Sequence, residues 1–514
     1  MNHIEGIWGT TDRAAHSFAN RIEPLLAGRR VVLVDLNRFT SFPTLAVGIL
    51  TAALRAKGCS VQVICPLALD VPSAAREREE SFWDAMHRRI RLSDYSAVKW
   101  LRDRARAPRE WLAQRPRQVV LNAVERAIAD GADVVLLSAY LEHYHTVKGI
   151  GRIARSRGVP VLLGGPMFNL SGVVDEWRVL PGVTAVIGGE VEFQLAGMVD
   201  AICRGAGLDA FPGVTLPDGT SSVPAEPLRP LDGALFPDFE DFPWDRYPSR
   251  IVPVLAGRGC QWDKCTFCSD VISASGRKFR TRSVESVVLE LQVQSERYAA
   301  RDFMFLDLKL NSNPAMFRAI ARDLRKYVRG AQWIGTVHVD QRRDNGLSRR
   351  DLFAASAGGM RRISFGLESG SQRLLDSMRK GCNVKTNETF LRDAHAAGIS
   401  VRCTMMKGYP GETSEDMIAT ADFLEQNEPF IDRIRFNDFS VPLETPIYHT
   451  LQSNSANPEE LRLSGLDARM ARALYQRRRV TPEYRRAKAR ALAVVHEINR
   501  KPLPATARQF DGLM

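Results

Sequence analysis

The 514-residue sequence has no uninterrupted apolar run long enough to cross a bilayer, which would need about 20 such residues. Its first thirty residues carry charges throughout and hold no apolar block with a small-residue cleavage site. No secretory signal is expected, and the protein is placed in the cytoplasm. There is no tandem repeat and no low-complexity segment, so solenoid architectures are excluded. Cysteine is scarce, 8 in all, and five of these (Cys59, Cys65, Cys203, Cys382 and Cys403) are scattered. A disulfide framework is not expected in so long a chain from a reducing compartment. The scattered five read as small core residues.

What is present is ordinary in bulk. Hydrophobic residues make up 45% and charged residues 25%, values typical of a globular protein with a full core. The length suggests more than one domain. The formal net charge of +12 is concentrated: residues 461–514 hold thirteen Lys or Arg against four Asp or Glu. Such a tail can bind nucleic acid, anionic lipid or an acidic protein. The plainer reading is a solvated helix in an arginine-rich protein, and nucleic acid is not expected as a partner.

Residues 1–29 read as an extension. From residue 30 to 205, valine-rich runs alternate with helical spacing, with strands expected at 30–36, 61–65, 133–138, 160–165 and 183–190. A charged stretch, about 72–118, carries Trp83, Trp100 and Trp111 and reads as a helical insertion. Fully apolar strands alternating with helices imply a doubly wound, Rossmann-like α/β domain with both sheet faces covered. Ligands of such sheets sit at the carboxyl ends of strands. Here those ends carry Asn37, Ser138, Gly164, Gly165, Gly189 and Glu190. Residues 206–250, rich in Pro, Asp and Phe, read as a linker packed on both neighbours. A second βα series covers 251–445, with strands near 251–256, 302–306, 331–338, 361–367, 399–406 and 431–439. Six units make a partial (β/α)6 barrel, two short of a full one. Residues 446–514 are expected to be a basic helical tail.

The strongest local signal is Gly257-Arg258-Gly259-Cys260-Gln261-Trp262-Asp263-Lys264-Cys265-Thr266-Phe267-Cys268, three cysteines directly after a strand. Thiolates suit iron–sulfur clusters. Three of them on a four-iron cluster leave one iron open to a small chelating molecule. Structural zinc is the alternative, but it wants four ligands, and no fourth cysteine or histidine is adjacent in sequence.

With these residues in view, 251–445 resembles the radical S-adenosylmethionine (SAM) superfamily. The usual motif places three residues between the first two cysteines; here there are four, Gln261 to Lys264. The resemblance implies a [4Fe-4S] cluster on Cys260, Cys265 and Cys268, with SAM on its open iron. It also implies SAM contacts from Phe267 at the adenine, Asp307 after the second strand, Glu368 near the ribose, Arg402 for the carboxylate and Gly408 beside the adenine. Taken singly, Asp307 and Glu368 are the kind of residue that caps helices and Gly408 the kind that makes turns. Their order after successive strands points to the SAM site.

The preceding domain resembles the cobalamin-binding domain of one large branch of that superfamily, through Phe42-Pro43, Asp133 to Ser138, Leu163-Gly164-Gly165-Pro166 and Gly188-Gly189-Glu190. The resemblance implies that Asn37, Ser138, Gly164, Gly165, Gly189 and Glu190 hold cobalamin. The Asp-x-His-x-x-Gly loop of other cobalamin domains is absent, since Asp35-Leu36-Asn37-Arg38-Phe39-Thr40 has no histidine, so the cobalt would have no histidine on its lower face. The alternative is a domain of the same fold that binds no corrin. His143, His145 and His338 lie at strand ends and read as structural or exposed.

The function implied is a cobalamin-dependent methyltransferase acting on an unactivated carbon, or phosphorus, of a small molecule, lipid or peptide. It would draw electrons from a donor such as flavodoxin or ferredoxin. Three rivals stand beside it: a non-methylating radical rearrangement or oxidative cyclisation, a methylthiotransferase, and a nucleic-acid- or membrane-binding protein with a structural metal.

Overall fold

The computed structural model describes residues 25–37, 42–71, 79–105, 108, 117–269, 279–339, 346–453, 461–477 and 480–513. Trp111 of the insertion and Arg38, Phe39 and Thr40 after the first strand lie outside them.

Two parallel sheets dominate. In the first, β1 (Arg30–Asp35), β2 (Ser60–Ile64), β3 (Val134–Ser138), β4 (Val161–Gly164) and β5 (Val183–Ile187) run parallel in the order β2-β1-β3-β4-β5, and β6 (Val214–Thr215) closes the edge antiparallel to β5. Val134 and Val135, Val161, Leu162 and Leu163 are all buried. This is why the strands are continuously apolar rather than alternating. The order reverses direction at β1/β3, the crevice where such sheets place ligands.

The second sheet holds β7 (Ile251–Val254), then, past the short pair β8 (Gly257–Arg258) and β9 (Arg280–Thr281), β10 (Asp302–Phe305), β11 (Gln332–Val337), β12 (Met360–Glu368), β13 (Ser400–Lys407) and β14 (Arg433–Asp438). The six long strands are parallel and neighbour one another in chain order, as a partial barrel requires. Residues 505–513 pack into it: Phe510 and Leu513 are buried with Ile251, Met304 and Ile334, and the Arg362 guanidinium donates to the Phe510 carbonyl at 3.0 Å.

The linker is part of the core. Phe239 is fully buried, its N–H donates to the Tyr298 hydroxyl at 2.7 Å, and Trp244 stacks on Tyr298 at 4.9 Å. Gly48 is required here, because a Cβ on it would collide with the Phe239 ring.

The tail differs from its expectation. Helices do span Pro446–Ser453 and Pro482–Asn499, but between them β16 (Leu461–Asp467) and β17 (Arg472–Arg477) form an antiparallel hairpin that joins β15 (Val441–Pro442). The alternating Leu461-Arg462-Leu463 carried that signal. Part of the tail's charge is paired with the barrel. Arg490 pairs with Asp422 and Glu425, Lys501 with Glu428, and Arg433 of the barrel with Asp511.

The insertion crosses to the barrel. Its helices, Phe82–Arg91 and Ser96–Arg104, leave Trp83 and Trp100 exposed rather than packed on the domain. Other groups make the contact: Arg91 donates to the Phe436 carbonyl at 3.0 Å, the Glu80 N–H to the Asn499 carbonyl at 2.9 Å, and Asp94 pairs with Lys488 and, at 2.9 Å, with Lys407.

Candidate active site

The cysteine loop leaves β8 at Gly259, whose φ of 85° only glycine adopts readily. Cys260, Cys265 and Cys268 are all half-buried and none is in a disulfide. The loop is held from several sides. The Thr266 N–H donates to the Met378 carbonyl at 3.0 Å, the Trp262 ring N–H to the Arg379 carbonyl at 2.7 Å, and the Ile447 N–H to the Thr266 carbonyl at 3.0 Å. The Thr266 and Tyr409 hydroxyls lie 2.7 Å apart. Burial pushes the Cys265 thiol up to about 11, so ligation must bring the thiolate form with it. Among the described residues no three His, Cys, Asp or Glu side chains form a group that could hold a metal ion. Cys382 is closer than its sequence separation suggested. It is buried, and its thiol is near enough to raise that of Cys265.

Asp307 has both carboxylate oxygens engaged. They accept the N–H groups of Ala256 at 3.0 Å and Gly257 at 2.7 Å, and burial pushes its carboxyl up to about 7. In these contacts it anchors the start of the cysteine loop. Glu368 ends β12 at a register shift, with φ 63°, and such a bulge re-aims a side chain. Its carboxylate meets Lys380 at 3.1 Å. Arg402 is buried on β13 and donates to the Ser364 hydroxyl at 3.1 Å. Phe267 and Met406 both pack against the buried cluster that contains Tyr409, the residue after Gly408. The Gly408 N–H donates to Glu412, which also accepts from the Tyr484 hydroxyl at 2.7 Å. The carboxy-terminal helix therefore braces this turn.

All six residues singled out in the first domain, Asn37, Ser138, Gly164, Gly165, Gly189 and Glu190, line one cavity of about 510 Å³. The barrel closes its other side with Leu255, Arg258, Met304 and Leu306. A Cβ on Gly164 would meet only the Ile187 carbonyl, at 3.9 Å, so a side chain there would project into the cavity. Gly165 and Gly189 are small for a different reason, since Cβ atoms there would strike Ala139 and Ala225. Glu190 is not free to face a ligand with its carboxylate. Arg280 grips both oxygens at 2.7 Å, the Leu228 N–H donates at 2.8 Å, and Arg258 lies at 3.2 Å. Arg258 also pairs with Glu192. Burial opposes ionisation of Glu190, but Arg280 and Arg258 outweigh it and hold the carboxyl below its ordinary range.

The histidines take structural positions. A ring nitrogen of buried His143 accepts the Tyr140 N–H at 3.1 Å, His145 is exposed, and His338 contacts the Lys380 carbonyl at 3.0 Å. Reading the sequence alone missed Arg258, Glu192, Arg280, Lys380 and Tyr484. Only Arg258, within the cysteine motif, had a local signal.

Residues 254–424 match the Radical SAM superfamily. The barrel of this chain is therefore similar to radical SAM domains. Such a domain implies a [4Fe-4S] cluster and SAM, and the half-buried thiols on an anchored loop fit that requirement. The chain is 29% identical to an uncharacterized methyltransferase of Pyrococcus horikoshii, over 57% of this chain and 64% of that protein. It is 30% identical to a putative methylthiotransferase of Methanocaldococcus jannaschii, over 34% of this chain and 39% of the other. It thus spans less than two thirds of either relative. Among solved structures, the radical SAM methyltransferase TsrM of Kitasatospora setae, with cobalamin and a [4Fe-4S] cluster bound, superposes with a TM-score of 0.65 at 17% identity, covering 93% of both chains. The cobalamin-dependent radical SAM enzyme OxsB reaches 0.66 at 16% identity, covering 90% of this chain and 66% of that one. These likenesses establish the fold. Among the described residues no helix is long and apolar enough to cross a membrane.

Proposed function

We propose that this enzyme is a cobalamin-dependent radical SAM methyltransferase, acting on an unactivated carbon, or phosphorus, of a small molecule, lipid or peptide. The observation that carries the reading is the single cavity lined by Asn37, Ser138, Gly164, Gly165, Gly189 and Glu190 on one side and by Arg258, two residues before Cys260, on the other. When bound, the cluster and SAM supply a carbon-centred radical, and methylcobalamin supplies the methyl group. The chain's own part is placement. Cys260, Cys265 and Cys268 hold the cluster. Phe267 and Gly408 would line the adenine, Glu368 would meet the ribose and Arg402 the carboxylate of SAM, and Asp307 fixes the loop's origin. Gly164 leaves room for the corrin tail beside Ser138 and Asn37, while Glu190 fixes the cavity wall through Arg280. The buried side chains of the barrel exclude water from the reacting carbon.

A methylthiotransferase needs a second cluster in the first domain. Cys59 and Cys65 flank β2 at opposite ends, roughly 20 Å apart at about 3.3 Å per residue, so they cannot share one. A non-methylating radical rearrangement or oxidative cyclisation with the same cofactors is the second reading. Product mass separates the two, because methyl transfer adds one methyl group.

The test is anaerobic purification with cobalamin supplied, followed by an ultraviolet–visible spectrum and iron, sulfide, cobalt and zinc analysis. About four irons and one cobalt per chain are expected. Iron without cobalt would sink the methylcobalamin route and keep the radical SAM assignment. Zinc in place of iron after reconstitution would overturn the cluster.

A further inference from the structure

The segment Met378–Gly381 lies outside the motifs that the superfamily resemblance draws on, yet it forms a second wall of the cysteine loop. Its carbonyls at Met378 and Arg379 accept from Thr266 and from the Trp262 ring. Its glycine, Gly381, lies so close to that ring that a Cβ would collide with it. Arg379 and Gly381 both take left-handed backbone, φ 51° and 70°. Between these two turns sits Lys380, 8% exposed, with its ammonium 3.1 Å from Glu368 and 5.7 Å from the centre of the Phe267 ring. Room for the pair comes from Gly366, where a Cβ would come within 2.7 Å of the Glu368 carboxylate and 2.8 Å of the Lys380 ammonium. Burial works against the charge on Lys380, but Glu368, Cys265 and Cys382 outweigh it and hold the ammonium protonated.

A buried cation costs free energy unless something anionic needs it. Glu368 accounts for one unit of charge. A cluster carrying three thiolates would add more negative charge at Cys265, and one-electron reduction would add another unit. We propose that Lys380 is a positioning residue that sets the reduction potential of the cluster held by Cys260, Cys265 and Cys268, by stabilising its reduced form. The inference rests on the reading of the cysteine loop as a cluster site. In the step concerned one electron passes from a reductant, dithionite in the test, to the cluster, and no bond or proton moves. Net charge and burial are recognised determinants of such potentials. At low effective dielectric a neighbouring charge acts strongly.

The experiment is an anaerobic redox titration of the full-length, reconstituted protein without SAM, followed by the electron paramagnetic resonance of the reduced cluster, with iron counted in every sample. At the poise where the unmodified protein is half reduced, Lys380→Met is expected to show a reduced-to-oxidised ratio about tenfold lower, equal to about 59 mV for a one-electron couple. Lys380→Arg, which keeps the charge, should stay within about threefold of the unmodified protein. Glu368→Gln removes the compensating carboxylate and should move the ratio the other way, so the charge is tested even if Lys380→Met fails to hold iron. Full iron with an unmoved ratio in both Lys380→Met and Glu368→Gln would overturn the proposal. So would equal shifts in Lys380→Met and Lys380→Arg. Absence of iron from the unmodified protein would instead sink the cluster reading, and the proposal with it.

Discussion

Replacing Glu190 by glutamine should loosen the contact between the two sheets at the cavity wall. Four charges meet there: Glu190 and Glu192 from the first domain, Arg258 and Arg280 from the barrel. Their side chains are only 16%, 9%, 17% and 5% exposed. The set is neutral as it stands. Glu190→Gln leaves two guanidiniums facing one carboxylate, and Arg280 keeps the Leu228 carbonyl, at 2.9 Å, and one neutral amide oxygen in place of a charged pair. Removing one partner of a buried pair costs about 3–5 kcal/mol. Because Glu192 still neutralises Arg258, the lower end applies, about 3 kcal/mol. At about 1.4 kcal/mol per tenfold this is roughly a 150-fold rise in local opening. Hydrogen exchange of peptides covering residues 188–192 and 256–258 would read it, while exchange in β11 and β12 should not change. A double-mutant cycle sharpens the test. Arg280→Met added to Glu190→Gln restores neutrality, so the double variant should open less than the two single effects combined. Acid should imitate the substitution. The Glu190 carboxyl is held below its ordinary 4.5, so its contribution is complete above that pH and is lost as pH falls through the native value. Opening within threefold of the unmodified protein, or strict additivity in the cycle, would refute the reasoning.

Two further outcomes follow from the same geometry. Gly381→Ala forces a side chain onto the Trp262 ring at a φ of 70°. Left-handed backbone alone costs about 1–2 kcal/mol, so the cysteine loop should loosen and lose iron on anaerobic gel filtration while the remainder stays folded. Asp307, pushed up to about 7 from 3.8, binds its proton more tightly in the folded chain than in the unfolded one. Stability should therefore fall as pH rises from about 4 to 7, by up to about 4 kcal/mol; denaturant midpoints of Asp307→Asn should lack that slope.

Continuous apolar runs and their spacing were enough to place the parallel strands of both sheets within a few residues, because burial on both faces leaves a direct mark on composition, whereas the antiparallel edge strand β6, two residues long, was read as linker. The three cysteines were legible for a similar reason, since their chemistry is local. The residues at the strand ends of the first domain proved to share a cavity, but the role of one, Glu190, could not be read: its partners Arg280 and Arg258 lie 90 and 68 residues away, and ion pairs leave no period in a sequence. Lys380 was hidden for the same reason, as was Tyr484 behind Glu412. The hairpin at Leu461–Asp467 and Arg472–Arg477 was not read, and the tail was expected to be helical throughout; its Arg and Ala content does favour helix.

The insertion has a mechanical consequence. The first domain grips the barrel at the cysteine loop through Glu190 and Glu192, and again at the edge strand and carboxy-terminal helix through Asp94, Arg91 and Glu80. Swinging the first domain away about either place alone has to break the contacts at the other. The motion the two leave open is rotation about the line that joins them, so the cavity between the sheets can widen only to either side of that line.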